Sequence, residues 1–210
     1  MKNSGLYVIL DRAIAGDRDL ADIAEDIIDG GADLIQLRDK VSSDSKFLKT
    51  AKSLRKITRK RRVLLIINDR ADIAIASDSD GLHIGGDDLP LAEARRLIGK
   101  DKIIGISTHS LQEALLAQEN GADYIGVGPI FKTASKPDLK PIGPDIVSQI
   151  SAHIDIPAFF IGGIDLNNLY EITGRGGQSI AVASAILNTA DISRTVRAFK
   201  ETLHNAKVTA

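Results

Sequence analysis

Short apolar runs recur along the chain. Each closes on polar residues or glycine, and most lead into a stretch with helical spacing. Residues 6–10 predict a first strand, closed by Asp11 and Arg12. Between Leu20 and Ile28 the apolar residues fall at 20, 23, 24, 27 and 28, one face of a helix, and Gly30-Gly31 stops it. Residues 34–37 predict strand two, closed by Arg38-Asp39-Lys40. A second helix, capped by Asp44 or Ser45, runs to about Lys60. Its basic tail, 59–62, suits the negative end of the helix dipole and reads as solvated. Residues 63–67 predict strand three, which ends abruptly in Asn68, Asp69 and Arg70 before a short helix to Ala76.

The second half repeats the rhythm. Strand four is 81–84, followed by Gly85-Gly86-Asp87-Asp88 and a helix from Pro90 through 91–98. Strand five is 103–106, followed by Ser107, Thr108 and His109. Ser110 then caps a helix over 111–120 with Glu113 at the capping-box position. Strand six is 124–127, and the segment 128–143, rich in Gly, Pro and Lys, is the longest without periodicity. A short helix over 144–150, strand seven at 158–161, a helix over 167–173, strand eight at 179–183 and a last helix over about 192–205 complete the series.

Strict strand–helix alternation implies a parallel sheet. Eight units in 210 residues predict an α/β chain with one (β/α)8 TIM barrel spanning 1–210 as a single domain. A doubly wound open sheet is the weaker expectation, because polar or glycine-rich ends follow every strand, as in a ring. Gly31-Ala32-Asp33 precedes strand two and Gly121-Ala122-Asp123 precedes strand six. This echo fits either two half-barrels or a motif that simply stops helices well.

Composition narrows the chemistry. With no cysteine, disulfides and thiolate metal sites are excluded. A net charge of -1, with no basic stripe interleaved with aromatics, argues against nucleic-acid binding. The longest apolar run is too short to span a bilayer, and the N-terminus lacks a signal-peptide pattern, so a cytoplasmic protein is expected.

A barrel gathers all strand C-termini at one mouth. Gln36, Arg38 and Lys40 share one direction by strand alternation and suit a polyanion such as a diphosphate. Asn68, Asp69 and Asp88, with Asp87 as an alternative to Asp88, offer hard oxygen donors that suit Mg²⁺, although helix capping also explains these carboxylates. Ser107 and His109 follow strand five, and a lone His there is more often structural. His83 lies within a strand and is less suggestive. Thr133, Ser135 and Lys136 suit an anion. Gly162-Gly163 and Ala183-Ser184 occupy the usual barrel phosphate position, although the glycines also fit a tight turn. Together these describe a diphosphate–Mg²⁺ site and a monophosphate site at one mouth, an arrangement for joining two phosphorylated substrates with diphosphate leaving.

Over essentially its full length the chain resembles the thiamine-phosphate synthase family. The matching motifs are Gln36-Leu-Arg-Asp-Lys40, Ile67-Asn-Asp69, His83-Ile-Gly-Gly-Asp-Asp-Leu89, Gly105-Ile-Ser-Thr-His109, Gly121-Ala-Asp-Tyr-Ile-Gly-Val-Gly-Pro129, Thr133-Ala-Ser-Lys136 and Ile161-Gly-Gly-Ile164. The resemblance implies a transferase. It joins 4-amino-2-methyl-5-hydroxymethylpyrimidine diphosphate to a 4-methyl-5-(2-hydroxyethyl)thiazole phosphate, or its carboxylated form. Thiamine phosphate and diphosphate result, with Mg²⁺ assisting a dissociative substitution. By position it implies that Gln36, Leu37, Arg38, Asp39, Lys40, Asn68, Ser107 and Lys136 bind the pyrimidine diphosphate. Arg38, Lys40, Ser107 and Lys136 among them would act in catalysis. Asp69 and Asp88 would hold Mg²⁺, and Thr133, Ala134, Ser135, Gly163, Ala183 and Ser184 would bind the thiazole phosphate.

Departures are small. Ser135 stands for a frequent Thr, Lys132 for a frequent Pro, Gly85-Gly86-Asp87 for Gly-Gln-Glu, and Ala183 for Val. The partners expected are small molecules, with no nucleic acid or membrane and with a homo-oligomer left open. A thiazole tautomerase on the same barrel is the nearest rival, but a monophosphate isomerase has no reason to keep Arg38, Lys40, Asn68, Asp69, Asp88 and Lys136 together. A catalytically silent phosphate sensor is the rival from another class.

Overall fold

The computed structural model describes residues 5–133 and 139–208. The chain runs β1 (Leu6–Asp11), α1 (Arg12–Ala15), α2 (Leu20–Asp29), β2 (Leu34–Arg38), α3 (Asp44–Arg61), β3 (Leu64–Asn68), α4 (Ala71–Ala76) and β4 (Gly81–Ile84). It continues with α5 (Leu91–Ile98), β5 (Ile103–Thr108), α6 (Leu111–Glu119), β6 (Tyr124–Val127), α7 (Ile146–His153), β7 (Ala158–Ile161), α8 (Leu169–Thr173), β8 (Ile180–Val182), α9 (Ser184–Leu187) and α10 (Ile192–Val208). Each strand pairs in parallel with the next and β8 pairs with β1, so the sheet is a closed barrel. Closure rules out the open doubly wound sheet.

Strand alternation sorts the apolar residues into two layers. Leu6, Val8 and Leu10 of β1 face the helices and join the large shell of Leu, Ile, Val and Ala between sheet and helices. Tyr7 and Ile9 face the barrel axis, where they pack with Leu34, Ile66, Tyr124, Phe159 and Ala181. The aromatic rings of this inner plug meet edge to face, with Tyr7–Phe159 centroids 5.2 Å apart and Tyr124–Phe159 centroids 5.6 Å apart.

Several boundaries differ from the sequence expectation. The helices α1 and α9 are four residues each, too short for apolar periodicity to reveal. Strand β5 extends to Thr108, and α7 begins at Ile146 rather than Pro144. Ser43, not Asp44 or Ser45, is the N-cap of α3, and Asp44 sits in its first turn. Ser110 caps α6 as expected, accepting from Glu113 N–H at 3.2 Å. The Glu113 carboxylate reaches one residue further back than a capping box would, to the His109 N–H at 2.8 Å.

The lower rim, at the strand N-termini, carries a repeated fastening. Asp33 accepts from the N–H groups of Gly5 and Leu6, both at 2.9 Å. Asp80 accepts from Leu65 N–H at 2.8 Å, and Asp123 accepts from Ile104 N–H at 2.7 Å. Each carboxylate also takes a cation from a helix: Lys200, Arg55 and Arg95 respectively. The Gly-Ala-Asp echo is thus a device that ties an even strand to the odd strand before it, and Asp80 repeats it without the Gly-Ala. Gly31 and Gly121, which open the motif, both have positive φ, 94° and 86°, which explains the glycine at those helix stops. Among the described residues no helix is long and apolar enough to cross a membrane.

Candidate active site

The upper mouth opens into a cavity lined by residues from most strand ends. Gln36, Arg38, Asn68, Ser107, His109, Thr133, Gly163, Ala183 and Ser184 all border it. Strand parity explains the first part of the site. Gln36 points into the barrel, is 4% exposed, and donates from Nε2 to the Tyr7 hydroxyl at 2.7 Å. Two residues on, Arg38 donates to the Asp11 carboxylate at 2.5 Å. Lys40, past the strand end and half exposed, pairs with Asp69. Leu37 and Asp39 point the other way. Leu37 is fully buried in the shell behind the sheet, and Asp39 turns into its own loop to accept from Val41 N–H and Ser42 N–H. Only their backbone is left to face the mouth.

The carboxylate pair at the rim starts from an unusual backbone position. Asp69 has φ of 62°, a left-handed conformation costly for a residue with a Cβ. Its N–H is held by the His83 carbonyl at 2.8 Å. The carboxyl of Asp88 accepts from Gly85 N–H at 2.7 Å. Partial burial first, and then the adjoining Asp69 carboxyl, raise the Asp88 proton affinity above the usual carboxylate range. Two carboxyls meet here with Lys40 as their cation. Among the described residues no cluster of three or more His, Asp or Glu side chains forms.

The glycines after β7 serve the loop that follows β6. A Cβ on Gly162 would lie 2.5 Å from Pro129 Cα, and one on Gly163 would lie 2.4 Å from the Lys132 carbonyl oxygen. The loop hydrogen-bonds back to the same place, with Ile130 N–H on the Ile161 carbonyl at 2.8 Å and Phe131 N–H on the Gly162 carbonyl at 2.9 Å. The backbone reading of these glycines therefore holds, since they allow a close approach of the loop, and they also border the cavity beside Ala183 and Ser184. His109 is anchored, its Nδ1 donating to the Gly128 carbonyl at 2.5 Å. Ala134, Ser135 and Lys136 lie outside the described residues.

Beneath the mouth lies a group that the sequence reading passed over. His83 Nε2 is hydrogen-bonded to Ser107 Oγ at 3.0 Å, and His83 Nδ1 to the Tyr124 hydroxyl at 3.0 Å. The Tyr124 hydroxyl in turn meets that of Tyr7 at 2.9 Å. Burial pushes both phenols well above their ordinary range, so both are neutral. Parity was the available signal: Leu82 and Ile84 belong to the outer shell, so His83 between them faces the axis.

Comparison with known proteins shows the family. Residues 6–186 match the family model for thiamine monophosphate synthase, TMP-TENI. A thiamine-phosphate synthase from Halalkalibacterium halodurans is 45% identical over 204 residues, covering 97% of each chain. One from Clostridium botulinum is 47% identical over 191 residues, covering 90% of this chain and 93% of the other. The solved structure of a thiamine phosphate pyrophosphorylase from Pyrococcus furiosus superposes with a TM-score of 0.89 at 34% identity, covering 97% of both chains. A geranylgeranylglyceryl phosphate synthase from Thermoplasma acidophilum, at 16% identity and a TM-score of 0.71, shares the fold. On this combined ground the chain belongs to the thiamine-phosphate synthase family, transferases of thiamine biosynthesis that act on small molecules.

Proposed function

We propose that the mouth holds its two substrates side by side, with 4-amino-2-methyl-5-hydroxymethylpyrimidine diphosphate over β2–β5 and a thiazole phosphate against β7 and β8. The observation that carries this reading is the Lys40–Asp69–Asp88 group set beside Arg38 and Asn68. Two adjoining carboxyls, with the Asp88 proton affinity raised by partial burial and by its neighbour, call for a cation, and a divalent ion satisfies them better than one flexible lysine. Mg²⁺ fits because it keeps several waters and takes its remaining ligands from phosphate, so two carboxylates suffice. Asp69 and Asp88 would hold it. When bound, it supplies charge neutralisation on the leaving diphosphate.

The remaining work falls to side chains. Arg38, held from below by Asp11, offers a guanidinium fork to the diphosphate. Lys40, which pairs with Asp69 at the rim, adds a second positive charge. Lys136 has the same assignment from its motif. Together they stabilise negative charge that grows as the carbon–oxygen bond breaks, which is where preorganised cations lower a barrier. Gln36 and Ser107 orient the pyrimidine ring on the buried floor. Gly163, Ala183 and Ser184, which border the cavity together with Thr133, hold the phosphate of the thiazole at the usual barrel position; Ala134 and Ser135 have the same assignment from their motif. The thiazole nitrogen then meets a cation-like pyrimidine methylene, and no protein nucleophile is required.

The test is a product assay with both substrates and Mg²⁺, with and without chelator. Thiamine phosphate and diphosphate appearing in equal amounts, and only with the metal, is the expected result. Turnover that persists in Asp69→Ala would overturn the metal assignment. Isomerisation of the thiazole without diphosphate release would replace the substrate reading.

A further inference from the structure

A continuous hydrogen-bonded chain crosses the barrel beneath the site. It runs from Gln36 Nε2 to Tyr7 Oη at 2.7 Å and from Tyr7 to Tyr124 at 2.9 Å. It then passes from Tyr124 to His83 Nδ1 and from His83 Nε2 to Ser107 Oγ, both at 3.0 Å. Its ends, Gln36 and Ser107, border the cavity, while Tyr124 is wholly buried. The barrel makes room for it. A Cβ on Gly105 would lie 1.9 Å from the Tyr124 ring, and one on Gly126 would lie 3.3 Å from His83 Cε1. Strand glycines weaken a sheet, so two placed under these rings mark the chain as a built feature.

Each hydroxyl has one proton to give, and a neutral imidazole carries one N–H. With His83 in its neutral form, the direction of one link fixes all the others. With Gln36 donating, Tyr7 donates to Tyr124, Tyr124 donates to Nδ1, and His83 donates from Nε2 to Ser107. Gln36 Oε1 is then left as an acceptor for the cavity and the Ser107 O–H as a donor. If the Gln36 amide turns over, every link reverses and the two ends exchange roles. The relay thus pairs the group that each end turns to the cavity: Gln36 Oε1 with the Ser107 O–H, or Gln36 Nε2 with a Ser107 lone pair.

We propose that Tyr7 and Tyr124 are positioning residues that couple the two ends of the pyrimidine subsite. The floor then always offers one donor with one acceptor and selects a ring edge of matching polarity. This rests on the proposed placement of the pyrimidine over Gln36 and Ser107. A 4-aminopyrimidine, with an amino donor beside a ring-nitrogen acceptor, has such an edge. A 4-methoxy analogue presents two acceptors and meets at least one repulsive contact. Cutting the relay at either tyrosine frees the ends to turn separately, so the second edge becomes tolerable.

The experiment is titration calorimetry of the 4-amino and 4-methoxy pyrimidine diphosphates on the wild type, Tyr7→Phe, Tyr124→Phe and the double variant. The steric cost of the methoxy group is common to all four proteins, so the change in the affinity ratio reads the relay. Tyr124→Phe is expected to narrow the preference for the amine about tenfold, the size of one neutral hydrogen bond. Tyr7→Phe is expected to do the same, and the double variant no more than either alone, because a relay can be cut only once. Losses that add in the double variant, or a ratio within about twofold of wild type in both folded single variants, would overturn the coupling. Failure of the wild type to bind either diphosphate would instead remove the pyrimidine subsite on which the coupling stands.

Discussion

Asp11 and Arg38 are register partners on neighbouring strands, and the carboxylate of one receives the guanidinium of the other at 2.5 Å. Asp11 is 4% exposed and also accepts from Ala13 N–H at 2.8 Å, so it is fixed before Arg38 arrives. It sets the angle at which the fork meets a diphosphate. Asp11→Asn keeps an oxygen for the Ala13 contact and loses the charge. We expect kcat/KM for the pyrimidine diphosphate to fall about tenfold, while KM for the thiazole phosphate is unchanged. Steady-state kinetics with each substrate varied in turn check this. A rise in thiazole-phosphate KM would move Arg38 to the other half of the mouth.

Asp88 is expected to trade stability for metal binding. Its folded-state proton affinity is raised, so its contribution to stability is full when it is protonated and falls as pH rises through its folded pKa. At neutral pH the ionised form works against the fold. Asp88→Asn should therefore raise the metal-free Tm at pH 7 by about 2 °C, and the gain should vanish in acid. The same variant should no longer gain thermal stability from millimolar Mg²⁺. Melting curves at two pH values, with and without metal, separate the two effects. A lower metal-free Tm at pH 7 would show that the Asp88 bond to Gly85 outweighs the repulsion from Asp69.

The fold was open to sequence reading because each strand-and-helix unit is local and ends in a polar or glycine signal. The rim residues Arg38, Lys40 and Asp69 followed from the same signal. His83, Tyr7 and Tyr124 did not, because within an apolar strand an inward ring and an outward one look alike until parity is anchored to a partner. Asp11 was seen only as a strand terminator, since its value lies in Arg38, which is 27 residues away in sequence. The lower-rim carboxylates were half seen: Asp33 and Asp123 stood out by their shared Gly-Ala, and Asp80 by nothing.

Gly105 should tolerate no side chain. Its added methyl would fall within the Tyr124 ring, and the ring has no room to leave a wholly buried position. Gly105→Ala should cost about 3 kcal/mol or more, at the upper end of overpacking. Gly126→Ala meets the His83 ring at 3.3 Å and should cost less. Denaturant unfolding of both variants tests the order, and equal costs would show that the floor of the barrel yields where these contacts say it cannot.

The phenols give an optical reading of the same floor. The chain has three tyrosines, and burial raises Tyr7 and Tyr124 far above their ordinary range. A raised folded pKa means that their contribution to stability is present below about pH 10 and is lost as pH climbs beyond it. In an alkaline titration followed at the tyrosinate band, these two phenols should ionise only together with loss of the near-ultraviolet circular dichroism. Reversible ionisation of all three in the folded state would mean that water reaches the relay.

The fastening of the lower rim sets how the barrel comes apart. Asp33, Asp80 and Asp123 bind β1 to β2, β3 to β4 and β5 to β6, each with a helix cation across the join. The seams between these pairs carry no such clasp among the described residues. Partial opening should therefore proceed in two-strand blocks, with amide exchange rates shared within a block and stepping at its borders. Because every clasp lies at the end remote from the chemistry, the mouth can be reshaped by mutation while the blocks below keep their order.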